Sequence, residues 1–147
     1  MYNFAFQRVL DYRNTVVENI QKDIGKLNEK IGEEKKSLKS ILNKIKIYEK
    51  KINEKIKKIN KAYQISLYVD FIESLLIQLE NIKIEIQNLE KLKIKKQNEL
   101  LTANKNKKIL EELKKSKIEK YNMLLNKKEQ ETFDDIAIIK YHKKNNP

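Results

Sequence analysis

From Phe6 to Ala62, apolar residues recur at alternating steps of four and three. The positions are Phe6, Leu10, Arg13, Val17, Ile20, Ile24, Leu27, Ile31, Glu34, Leu38, Ile41, Ile45, Tyr48, Ile52, Lys55, Ile59 and Ala62. Fourteen of the 17 are apolar, and Arg13, Glu34 and Lys55 all fall on one of the two alternating rows. This is a heptad stripe, and it predicts one helix of roughly 57 residues, about 85 Å long. Such a helix cannot form a core with itself and buries its stripe against another helix.

Asn3 is the candidate N-cap, with Phe4 and Phe6 entering the stripe early. Glu18 with Lys22 and Glu54 with Lys58 have the favourable i,i+4 order. Gly25 and Gly32 lie off the stripe, where each costs about 0.5–1 kcal/mol relative to Ala. After Ala62 the pattern lapses. Asp70 precedes Glu73 in a D-x-x-E spacing that resembles a capping box, so a turn is expected within 63–70. A second stripe follows at Ile72, Leu75, Leu79, Ile82, Ile86 and Leu89. It loosens at Lys93 and Lys96 and returns with slips at Leu100, Ala103, Leu110, Leu113, Tyr121 and Leu124.

The expected fold is all-α: two long helices forming an antiparallel coiled-coil hairpin. Residues 1–147 make a single coiled-coil domain, with helix one at about 4–62, the turn at 63–70, helix two at about 71–140 and a tail at 141–147. A turn centred near residue 66 pairs Leu10 with residues near 122. It leaves an overhang beyond about 130 that contains Phe133, Ile136, Ile138 and Ile139. Free in solution, the hairpin is expected to be monomeric. A homodimeric adaptor, with helix one paired to its own copy, stays open because β-branched residues dominate the fully apolar row.

Charged residues make up 37% of the chain, and glycine plus proline only three positions, as long helices require. There is no cysteine, which removes disulfides and thiolate metal sites and fits a reducing compartment. No run approaches a membrane span, and the N-terminus lacks the pattern of a signal peptide. His142 is the only histidine, and the two glycines stand seven apart on a helix, so neither a zinc site nor a phosphate-cradling loop is expected. No catalytic constellation, cofactor site or metal site is expected.

The net charge is +12, with 11 lysines in residues 35–61. Nonspecific contact with nucleic acid is one reading of this density. The near absence of arginine and the lack of aromatics interleaved with the charge argue against specific readout. Tyr48, Tyr63, Tyr68 and Phe71 gather toward the expected tip, where rings can serve as anchors for a protein partner.

Three stretches resemble one family. Phe4-Ala5-Phe6-Gln7-Arg8-Val9-Leu10-Asp11-Tyr12-Arg13 is similar to the start of the flagellar export protein FliJ family. Tyr68-Val69-Asp70-Phe71-Ile72-Glu73-Ser74-Leu75 resembles its entry into the second helix, and Phe133-Asp134-Asp135-Ile136-Ala137 its C-terminal signature. The resemblance implies a non-enzymatic stalk of the flagellar type III export apparatus, similar to the central stalk of rotary ATPases. It implies as partners the export ATPase ring (FliI-like), the export gate (FlhA-like) and export chaperones. Its implied location is cytoplasmic, peripheral at the inner membrane through those partners. It places a gate-binding patch on Ile41, Tyr48, Phe71 and Leu75, with Ser37, Lys44, Gln78 and Ile82 departing from the family's usual residue types. It assigns the ATPase contact to Phe4, Phe6, Arg13 and Phe133, Asp134, Asp135, Ile136 and Ala137. A stalk from a virulence secretion system or a rotary ATPase is the alternative.

Overall fold

The computed structural model describes residues 2–57 and 62–145. They form two helices, α1 (Gln7–Ile56) and α2 (Ala62–Asn145), and no strand among the described residues. The protein is all-α, and α1 packs against α2 as a helical hairpin. The chain divides into two units: Glu18–Leu101, and Met1–Val17 with Thr102–Pro147.

In the unit Glu18–Leu101 the heptad stripe of α1 is the packed face. Every stripe position from Ile20 to Lys55 is buried or half-buried. Ile41, Ile45, Leu75 and Leu79 form the core, with Leu38, Ile72 and Ile82 packed against it. Among the described residues two ion pairs cross between the helices, Lys96–Asp23 at 3.5 Å and Lys35–Glu90 at 3.8 Å. Lys96 also meets Glu99 at 3.3 Å. The hydrogen bond and charge of Glu99, reinforced by Asp23, hold the Lys96 ammonium's pKa above its ordinary value.

The helices are antiparallel, and their register differs from the one expected. The pairs Asp23–Lys96 and Tyr48–Phe71 both have their midpoint at about residue 60, not 66. Residues 63–70, expected as the turn, are helical: α1 ends at Ile56 and α2 begins at Ala62. Ala62 therefore opens α2 and does not close the stripe of α1, and helix two does not wait for residue 71. Asp70 caps nothing; it is an exposed residue inside α2. Residues 63–70 contain neither Gly nor Pro, and Ile65 and Tyr68 already belong to the packed face, so nothing there interrupts a helix. The expected stripe position Ile59 and the Glu54–Lys58 pair lie outside the described residues.

The packed face of α2 is also longer than its apolar stripe. From Ile65 to Lys114 every step of three and four lands on a buried or half-buried residue, including Lys93, Lys96 and Lys107. The loosening expected at Lys93 and Lys96 is absent because lysine can lay its methylenes along the seam while its ammonium reaches water or a carboxylate. One departure remains, an extra step of four from Lys114 to Ile118 before Tyr121, which locally relaxes supercoiling.

In the unit Met1–Val17 with Thr102–Pro147, Phe4, Leu10, Val17 and Ala103 are buried. The Tyr2 and Tyr121 rings stand 5.4 Å apart, and Lys114 Nζ donates to Gln7 Oε1 at 2.8 Å. Asn3 is too far upstream to cap a helix that begins at Gln7. The Gln7 N–H instead donates to the Phe4 carbonyl at 3.1 Å, and the Leu10 N–H to the Phe6 carbonyl at 2.9 Å. This turn rotates Phe4 into the packed face and leaves Phe6 49% exposed, so Phe4 takes the place expected for Phe6.

Beyond Tyr121 every described residue to Asn145 is exposed, yet helical. The overhang therefore begins at about residue 122, and Leu124 lies in it. Residues 141–145, expected as a tail, belong to α2.

Candidate interaction surfaces

The expected gate patch separates into two layers. Ile41 and Leu75 sit in the core cluster, with Leu75 only 3% exposed. Tyr48 and Phe71 lie outside them, ring centroids 4.7 Å apart, and Tyr48 also meets Tyr68 at 5.5 Å. Phe71 keeps 41% of its surface in solvent. Only the outer layer can touch a partner without unfolding the hairpin. Tyr63, grouped with these rings by sequence, stands 77% exposed.

Lysines frame the rings. Lys51 Nζ lies 4.9 Å from the Tyr48 centroid and Lys55 Nζ 4.6 Å from the Tyr68 centroid, both within cation–π range. Lys55 also donates to Gln64 Oε1 at 2.6 Å and to the Tyr68 hydroxyl at 2.9 Å. The sequence pattern places Lys55 among the three non-apolar positions of the stripe and groups Tyr68 with the tip rings, though not with the gate patch. In the structure they form a polar clasp joining the last turns of α1 to the first turns of α2. The i to i+7 repeat of Tyr48 and Lys55 was the available signal, since it puts both on one face. Lys44, Ser37 and Gln78 are exposed, and Ile82 is half-buried.

The residues assigned to the ATPase contact are not brought together. Phe4 is buried, Arg13 half-buried, and Phe6 packs edge-on against Phe4 at 5.9 Å. Tyr121 marks the level of this N-terminal segment on α2. Phe133 lies 12 residues further along the helix, about 18 Å away at 1.5 Å per residue. Phe133, Asp134, Asp135, Ile136 and Ala137 are all exposed, Phe133 by 70%.

Among the described residues no cluster of His, Asp or Glu could hold a metal ion. No described helix is long and apolar enough to cross a membrane. His142 is exposed beside Tyr141.

The family described as "FliJ: Flagellar FliJ protein" has a model that matches residues 2–146. No curated protein and no solved structure matches the chain.

Proposed function

The chain belongs to the flagellar FliJ family, and on that premise we propose that it is the stalk-like component coupling the export ATPase ring to the membrane export gate. Membership already makes it a flagellar export-related component of a non-enzymatic family. The finer role includes assistance in cycling export chaperones, from a cytoplasmic position held at the inner membrane through its partners. No specific nucleic acid and no cofactor enter this role.

One observation carries the reading: a helix of about 24 residues beyond Tyr121 is covered by none of the described residues of its own chain and bears exposed Leu125, Phe133, Ile136 and Ile139. An apolar face of this kind calls for another protein. We assign it to the ATPase ring, and the Tyr48–Phe71 face to the gate. The family match favours this over a stalk from a virulence system or rotary ATPase. The pairing of α1 with α2 disfavours an adaptor in which helix one pairs with its copy.

Capture of the ATPase and gate from flagellated cells tests the reading. Replacing Phe133 and Ile136 by Ala is expected to lose the ATPase and keep the gate. Replacing Tyr48 and Phe71 by Ala is expected to do the reverse. Capture of neither partner by the unaltered chain would refute the assignment.

A further inference from the structure

The seam between α1 and α2 has two sides, and the aromatic patch occupies only one. The Lys35–Glu90 pair marks the other. Stepping forward seven residues in α1 and back seven in α2 from that pair keeps to the same side of the seam. The steps reach Leu42 with Lys83, Glu49 with Leu76, and Ile56 with Val69. Leu42, Ile56, Val69 and Leu76 are each between 40% and 63% exposed. This second side is therefore a shallow open strip on which four apolar side chains are interspersed with exposed Glu49 and Lys83.

Its borders carry opposite charge. On the α1 border stand Lys39 and Lys46, and on the α2 border Glu73 and Glu80, all exposed. None of the four takes part in an ion pair among the described residues. One border basic and the other acidic makes the strip complementary to itself. When two copies lie side by side in the same direction, a two-fold axis along the helices sets α1 of each against α2 of the other. Lys46 and Glu80 stand at the same height, midway between the Leu42–Lys83 and Glu49–Leu76 levels. Each Lys46 then meets the Glu80 of the other copy. The opposite orientation sets lysines against lysines and glutamates against glutamates, which is repulsive.

We propose that this strip is a self-association surface through which two hairpins pair in parallel as a weak dimer. The occupant is a second copy, because the strip's own charge pattern supplies the partner it needs. Residues 39–56 of α1 span about 26 Å. Over two helices' width this gives on the order of 900 Å² of buried surface in total, below the ~1,200 Å² of stable complexes. Association is therefore concentration-dependent, and the hairpin folds without it. The proposal does not depend on the export role, and the surface is distinct from the aromatic face assigned to the gate.

Sedimentation equilibrium on the full chain tests it, from low-micromolar to near-millimolar concentration. The average mass is expected to rise from 17.6 kDa toward twice that value. Leu76→Glu is expected to hold the chain at the monomer mass while its helical circular dichroism stays intact. Lys46→Glu or Glu80→Lys alone places like charges across the interface and weakens pairing by about tenfold. The double exchange in one chain restores the opposite pairs and the dimer. A mass fixed at 17.6 kDa at every concentration overturns the proposal. So does a dimer indifferent to Leu76→Glu and to both single exchanges, which would mean pairing through another surface. A double exchange that fails to recover the dimer overturns it as well.

Discussion

Leu75 and Phe71 are four residues apart and belong to one expected site, but they do different work. Leu75 is core, whereas Phe71 offers a ring to solvent. Leu75→Ala removes a buried side chain and is expected to lower stability by about 2–4 kcal/mol. Phe71→Ala loses mainly its ring contact with Tyr48 and is expected to cost about 1 kcal/mol. Urea unfolding followed by circular dichroism separates the two. Partner capture lost in the Leu75 variant, but regained when the hairpin is restabilised elsewhere, would identify that loss as a folding effect. The apolar stripe already separates them, since Leu75 lies on it and Phe71 beside it, whereas the resemblance places both in one patch without saying which points inward. Lys55 shows the converse limit. Its place in the seam was legible, but its bonds to Gln64 and Tyr68 depend on a register set by the position of the chain reversal.

At the scale of the elements, α1 was readable because its stripe is apolar at nearly every step, and its packed face matches that stripe from Leu10 to Lys55. The packed face of α2 was half hidden, because lysines at 93, 96, 107 and 114 look like surface residues until their stems are counted. The turn was misplaced because the chain between the stripes offers no Gly or Pro, and D-x-x-E at Asp70 imitated a cap. Gly25 and Gly32 of α1 are ordinary helical residues, and a Cβ added at either meets nothing within 4 Å. Gly25→Ala and Gly32→Ala are each expected to stabilise the hairpin by about 0.5–1 kcal/mol, read as a higher urea midpoint. Within α2 the packed and unpacked lengths are expected to differ in dynamics. Amides of residues 126–145 should exchange far faster than those around Leu75 and Leu79, since a helix without tertiary packing opens easily. Equal protection along α2 would mean that the overhang is covered after all.

At the scale of the whole molecule the dominant quantity is charge. The chain carries +12, and residues 35–61 hold 11 lysines against Glu49 and Glu54. Among the described residues the ion pairs engage one of these lysines, Lys35, and its side chain is 60% exposed, so that pair contributes little to folding. A field of this size acts mainly on association, drawing the chain toward acidic surfaces and weakening within about 8 Å at physiological ionic strength. If the proposed ATPase ring presents an acidic pore, complex formation should be faster and tighter at low salt, with most of the change in the association rate. Measuring that rate against ionic strength for the full chain and the ring tests this directly. A rate unchanged between low and physiological salt would leave the lysines as a solvated surface with no part in docking. Under that outcome the exposed apolar side chains of the overhang would have to carry recognition alone, and Phe133→Ala should then abolish binding equally at every salt concentration.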